Sequence, residues 1–359
     1  MTESFDVDAL GLRVRIEFAD DLDEAQRAEA VAAWSGALSG SGSFGADDFG
    51  ADAERSCTLR AGDDFAAAME RLTVEVTLIA LDALRGRSLM FHAAGVADER
   101  GRVAAFVGPS GRGKTTLSRM LGARFGYVSD ETIAVEPDRS VHAYRKPLSV
   151  VREGAPKQQV APVDAGLRDL PAVPLTLHAL ALLDRDASLD APRFEPISLA
   201  AALPELVPQM SYLRDHERPL QAIAELADAV GGVRILRYPD ASTVPALLPA
   251  LLDAPSTAST WDPVEDAVQS GPFHSDDVQD AILTDGYAVV MAGAQVQVLD
   301  GIAPTIWLAA RAGHDLDGIV SVVEAQFGAP PEGQARDIVA DALDELIAAD
   351  LLGRRGDAS

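Results

Sequence analysis

Residues 103–121 read Val103-Ala-Ala-Phe-Val107, then Gly108-Pro109-Ser110-Gly111-Arg112-Gly113-Lys114-Thr115, then Thr116-Leu-Ser-Arg-Met-Leu121. The first piece is a short apolar strand and the last is helical. The middle piece satisfies G-x-x-x-x-G-K-[ST] in full, with the strand before it and the helix after it that the motif needs. Glycines let a backbone wrap a phosphate chain without Cβ clashes. The amides of the turn and of the helix start then point at the anion. In such a loop Lys114 reaches the β- and γ-phosphates and the Thr115 hydroxyl ligates Mg²⁺. Gly108, Pro109, Ser110, Gly111, Arg112, Gly113 and Thr116 complete the expected cradle. The lysines point the same way. The chain has three, Lys114, Lys146 and Lys157, so 27 of its 30 basic residues are arginine. Arginine serves wherever a generic positive charge suffices, and Lys114 stands where a compact ammonium suits a phosphate. Lys146 and Lys157 follow within 45 residues. They read either as the rim of the same site or as surface lysines.

At 359 residues the chain is long enough for two or three domains. Its 48% hydrophobic and 24% charged content is that of a soluble globular protein. The net charge of -26 argues against a general nucleic-acid binder, because phosphate backbones are repelled. Acidic pairs near the N-terminus (Asp20-Asp21, Asp23-Glu24, Asp47-Asp48) read as a solvated face. Cys57 is the only cysteine, which excludes intramolecular disulfides and cysteine-based zinc sites and fits a cytoplasmic protein. There is no basic-then-apolar leader, and apolar runs such as Ala179–Leu183 are too short to cross a bilayer, so no membrane association is expected.

Along the chain, residues 1–62 read as an N-terminal α/β segment with one alternating strand, Leu12–Phe18, and a glycine/serine loop at Gly40–Gly45. A helix is predicted over 64–86, with Phe65, Met69, Leu72 and Val76 on one face. Strands are predicted at Ser88–Val96 and Leu175–Leu183. Tyr127–Val135 reads as strand, acidic pair, strand. Helices at Leu199–Leu206 and Pro219–Val230, a strand at Gly232–Tyr238 and a closing helix at Thr243–Leu252 complete a core over 63–252. Asp253–Gly271, rich in Pro, Ser, Thr and Asp, reads as a linker. Such a linker implies that the core folds without residues 272–355. Over 272–355 a hairpin is expected, Tyr287–Met291 and Ala294–Leu299 around Ala292-Gly293. Three helices come after it: Pro304–Arg311, one carrying Ile319, Val322, Val323 and Phe327, and one carrying Ile338, Ala342, Leu343, Leu346 and Ile347.

Phosphoryl transfer needs a metal ligand and a group that orients or deprotonates the acceptor. Asp130 and Glu131 stand at a strand end about 15 residues beyond Lys114. Paired carboxylates there can divide that labour, one holding Mg²⁺ and the other taking a proton. Equally, they can form a solvated turn. His92, on the strand expected beside Val103–Val107, reads either as a core histidine held by a hydrogen bond or as a catalytic group.

Phe91-His-Ala-Ala-Gly-Val96, the loop Gly108–Thr115 and Tyr127-Val-Ser-Asp-Glu131 together resemble the HPr kinase/phosphorylase family over roughly residues 75–250. The resemblance implies an α/β P-loop kinase core of the HPr kinase/phosphoenolpyruvate carboxykinase type that transfers the γ-phosphate of ATP to a serine of a protein or peptide. It places Asp130 as the base, His92 near the phosphates, and Thr115, Glu131 and Asp130 around Mg²⁺. Glu131 stands where the family has a second aspartate. Residues 272–355 resemble PqqD-like winged-helix domains, which bind a leader peptide by adding it as a strand to the hairpin edge. The match lies in the hairpin, in Val298-Leu-Asp-Gly-Ile-Ala-Pro-Thr-Ile-Trp307 and in the Asp341–Leu352 helix. A DNA-binding winged helix is the alternative, and the net acidity opposes it. The joint implication is a serine kinase acting on a ribosomally made precursor peptide or small protein, in a chain that can form homo-oligomers. Two other readings use the same residues: a kinase for a free small-molecule hydroxyl, and a nucleotide-gated scaffold that presents peptide.

Overall fold

The computed structural model describes residues 3–39, 55–109, 111–152, 155–266, 270–330 and 335–355. The chain is a mixed α/β protein with parallel strand pairs in its largest sheet. Among the described residues no helix is long and apolar enough to cross a membrane. The chain divides into two compact units. One is Met1–Pro196, Gln209–Leu213 and Ala229–Thr257; the other is Ile197–Pro208, Arg214–Asp228 and Ala258–Ser359.

In the first unit the main sheet runs Arg193–Pro196, Val233–Tyr238, Thr176–Arg185, Arg102–Val107, Leu89–Ala97, Thr132–Val135, Val141–His142. Arg102–Val107 is parallel to Thr176–Arg185, which is parallel to Val233–Tyr238. Val103 through Val107 are fully buried. That is why this strand reads as an unbroken apolar run: a parallel strand is covered on both faces. One cover is the helix Lys114–Gly122, whose Leu117 and Leu121, one turn apart, join Phe106, Ala181 and Leu236 in a common core. Gly126–Ser129 and Thr132–Val135 both pair with Leu89–Ala97, so the turn between them is anchored to that strand on each side.

The N-terminal segment adds a separate three-stranded sheet. Ser4–Ala9 and Leu12–Phe18 form a hairpin, and Ser56–Leu59 lies parallel to Leu12–Phe18. Leu12, Val14 and Ile16 alternate inward with the period of a strand and meet Met69, Leu72 and Val76 of the helix Phe65–Ala83 in one core. Only Leu12–Phe18 is apparent in the sequence. The other two strands are short and owe their order to that partner. The glycine/serine loop 40–45 and the pair Asp47-Asp48 fall outside the described residues.

The second unit holds the sheet Trp261–Pro263, Val278–Thr284, Tyr287–Ala292, Gln295–Leu299 and the helices Ala303–Arg311, Leu316–Phe327 and Ala335–Ala348. The expected hairpin forms, but its two-residue turn is Gly293-Ala294, because Ala292 pairs with Gln295. Gly293 takes φ +58 there, which suits glycine. Ala281, Ala288, Val290 and Leu299 face the three helices. Successive strand residues point to opposite sides, and Ile282, Val289 and Met291 are just as buried. The helix Leu199–Leu206 packs against the strands Tyr287–Ala292 and Gln295–Leu299. The sheet therefore has two covered faces.

Three expectations change. Residues 197–208 and 214–228, expected in the core, belong to the second unit. The Asp253–Gly271 stretch contains the strand Trp261–Pro263, paired with Val278–Thr284; its Pro/Ser/Thr/Asp composition masks it. The closing helix is a 3₁₀ turn, Ala241–Leu247, then a short α-helix, Leu248–Leu252. Pro245 and Pro249 explain this, since a proline interrupts α-helical hydrogen bonding from within.

Candidate functional site

The glycine-rich loop leaves the sheet at Val107, the C-terminal end of a parallel strand, where α/β sheets characteristically hold ligands. Gly111 and Gly113 have φ of +84 and +89, a region that side chains resist. A Cβ on Gly113 would also lie 3.3 Å from the Tyr238 hydroxyl, which donates to the Arg112 carbonyl at 3.1 Å. The helix Lys114–Gly122 begins at Gly113, with no side chain capping its first turn. Those amide hydrogens have no intrahelical acceptor and suit an anion. Pro109, Gly111, Arg112, Thr115 and Thr116 are exposed, and Gly108 is buried at the root of the loop. Ser110 lies outside the described residues.

Lys114 is buried, and its ammonium donates to the Gly108 carbonyl. Burial pushes its pKa down, while the negative charge of Glu131 pulls it back up. The acidic turn lies beside the root of the loop, because Ala93, which pairs with Val107, donates its amide to the Glu131 carbonyl at 3.1 Å. The acidic pair occupies the turn between Gly126–Ser129 and Thr132–Val135, shaped by Ser129 Oγ, which accepts from the amides of Glu131 (3.1 Å) and Thr132 (3.3 Å). His92 Nδ1 lies 2.9 Å from the Glu131 carbonyl oxygen. A carbonyl only accepts, so Nδ1 carries the hydrogen and Nε2 is the basic nitrogen of the neutral ring. Of the two readings of His92, the contact seen is a hydrogen bond to the acidic turn's main chain, not to its carboxylates.

Two residues join that sequence reasoning left out or unassigned. Lys146, buried, places Nζ 3.1 Å from Glu131 Oε2 and 4.0 Å from Asp130 Oδ1. Tyr127, fully buried, donates its hydroxyl to Asp130 Oδ1 at 2.9 Å. Burial and the charge of Asp130 push the tyrosine pKa well up, so it remains a donor. The scarcity of lysine pointed at Lys146. Nothing in the sequence distinguished Tyr127 from any apolar strand residue. Lys157, by contrast, pairs with Glu70 of the helix Phe65–Ala83 at 2.7 Å, with both side chains about half exposed. It is a surface ion pair, not part of this cluster.

The site thus gathers two lysines, two carboxylates, a histidine and the start of a helix that no side chain caps. Among the described residues no group of three or more His, Cys, Asp or Glu side chains is arranged to hold a metal by itself. That donor set still fits Mg²⁺, which is ordinarily held by one or two carboxylates together with phosphate oxygens and water. Thr115, exposed at the helix start, and the half-exposed Glu131 are the accessible oxygens. No protein-family model and no curated protein sequence matches the chain.

Proposed function

We propose that the chain is an ATP- and Mg²⁺-dependent kinase of the HPr-kinase-like type, a P-loop core joined to a PqqD-like winged-helix domain, and that it phosphorylates a serine hydroxyl on a ribosomally made peptide or small protein. One observation carries this reading: Ala93 pairs with Val107, the residue from which the glycine-rich loop departs, and donates its amide to the Glu131 carbonyl at 3.1 Å, so the acidic turn lies beside the root of that loop. The loop amides and Lys114 hold the phosphates. Thr115 and Glu131, with Asp130 beside them, would hold Mg²⁺, which when bound would neutralise charge on the phosphates. Asp130 accepts the proton of the attacking hydroxyl, and the His92–Glu131 hydrogen bond keeps the turn in place. In the second unit Gln295–Leu299 is the last strand of its sheet. That edge suits addition of a peptide strand through main-chain hydrogen bonds. Recruitment there would raise the peptide's effective concentration.

The test is mass spectrometry of serine-containing peptides, chosen from those encoded beside the gene, after incubation with the full chain, ATP and Mg²⁺. A gain of one phosphate on a serine is expected. Phosphate transfer only to free small molecules would replace the peptide by a small acceptor. Nucleotide binding with no transfer at all would leave a peptide-presenting scaffold.

A further inference from the structure

We infer that Tyr127 and Lys146 are positioning residues that fix one oxygen of Asp130 and leave the other for the acceptor. The inference rests on the kinase reading above. Both contacts fall on the same atom, Oδ1: the Tyr127 hydroxyl at 2.9 Å and the Lys146 ammonium at 4.0 Å. Among the described residues Oδ2 makes no hydrogen bond and no ion pair. Yet the side chain is only 10% exposed. Oδ2 is not a buried unpartnered atom, so it belongs to the part of the side chain that reaches solvent, the side from which an acceptor arrives.

The holders are themselves held. The tyrosine ring sits in a small apolar cluster with Leu148 and Leu167, and its edge lies against Gly122, where an added Cβ would approach it to 3.3 Å. Lys146 is locked by its closer partner, Glu131 Oε2, at 3.1 Å. The carboxylate plane of Asp130 is thereby set before any substrate binds, the condition under which positioned groups accelerate a reaction. In the step it serves, the acceptor oxygen bonds to the γ-phosphorus as the bond from that phosphorus to the β–γ bridging oxygen breaks. The electron pair leaves with ADP, and the acceptor's proton passes to Asp130 Oδ2.

Tyr127→Phe keeps the buried ring and removes only the hydroxyl. We test it in the full chain with Mg·ATP and water as the acceptor, and measure the affinity of a fluorescent ATP analogue separately. The expected result is a fall in kcat of about tenfold with nucleotide affinity unchanged. Lys146→Met should behave likewise, and Lys146→Arg should recover most of the loss. A folded Tyr127→Phe protein with wild-type kcat would overturn the inference. So would a variant whose kcat, nucleotide affinity and melting temperature all fall together, the mark of a residue that merely supports the fold. The wild type separates the two levels of argument. If it binds nucleotide but transfers phosphate neither to peptide nor to water, the kinase reading fails and takes this inference with it. If it turns over no faster than Tyr127→Phe, only the inference fails.

Discussion

Asp130 in the first unit, its side chain 10% exposed, and Asp280 in the second, a buried aspartate, use their oxygens in opposite ways. Asp280 is 2% exposed and saturated. Its Oδ2 accepts from the amides of Leu220 (2.7 Å) and Gln221 (3.0 Å), and its Oδ1 from Gln221 Nε2 (2.8 Å) and the Ala281 amide (2.9 Å). It caps the start of the helix Pro219–Ala229 and has no capacity left. Asp130 has one oxygen engaged and one open to solvent. A carboxylate with every lone pair filled serves structure, whereas one left half open beside the glycine-rich loop is available for chemistry.

The largest effect should come from Lys114→Ala. On the proposed kinase reading the ammonium offsets charge that develops on the transferring phosphates, and alanine removes it. Phosphoryl transfer should be lost. The melting temperature of the nucleotide-free protein should hold or rise, because the deleted charge is one that burial disfavours. Retention of more than about a tenth of kcat, or ~1.4 kcal/mol, would mean that the loop does not serve catalysis.

Asp130→Asn should come next, with kcat down at least about a hundredfold and nucleotide affinity retained. The amide preserves the shape but takes no proton. Equal turnover by this variant would pass the proton to Glu131 or His92 and dissolve the contrast with Asp280. The matching change, Asp280→Ala, should act on stability. It strands the buried Leu220 amide and its neighbours, at about 1–3 kcal/mol for each unsatisfied group. Calorimetric or denaturant unfolding reads that loss, and an unchanged transition would show that the cap is dispensable. The same saturation bears on truncation. Removing 260–359 takes Asp280 from the helix Pro219–Ala229 and the sheet from the helix Leu199–Leu206, so the shortened chain should lose solubility or unfold in part. The linker composition alone implied the opposite. A monodisperse, fully folded fragment 1–259 would restore that expectation.

The contrast also shows what the sequence discloses. The loop, its strand and its helix were legible because the whole signal lies within 20 consecutive residues and each local preference agrees with the next. Asp130-Glu131 was legible through its place at a strand end. Tyr127 was not, because its importance lies in where a buried hydroxyl points. Lys146 was half legible, marked by composition but placed only by folding. The second unit hid most. Its hairpin and three helices have clear periodicity, yet the cover on the other face of its sheet comes from the helix Leu199–Leu206, far back along the chain. No local pattern announces that Gln279 will donate to the carbonyls of Arg214 and His216 at 2.8 and 2.7 Å.

The smallest expected effect is a proton. With no nucleotide bound, burial holds the Lys114 pKa below its ordinary value of 10.5, against the opposing pull of Glu131. Between that lowered value and 10.5 the unfolded chain binds more protons at this group than the folded one. Stability contributed by Lys114 therefore rises with pH across that window. Phosphates placed beside the ammonium favour its charged form and shift its pKa upward. Nucleotide binding should thus take up a fraction of a proton at alkaline pH, and affinity should weaken as pH rises through the window. Titration calorimetry in two buffers of different ionisation enthalpy measures the uptake directly. The two apparent binding enthalpies should differ for the wild type and coincide for Lys114→Met, which keeps the stem and lacks the ammonium. Equal enthalpies for the wild type would mean that the phosphates do not settle against Lys114, and the loop would have to hold its anion by the helix amides alone.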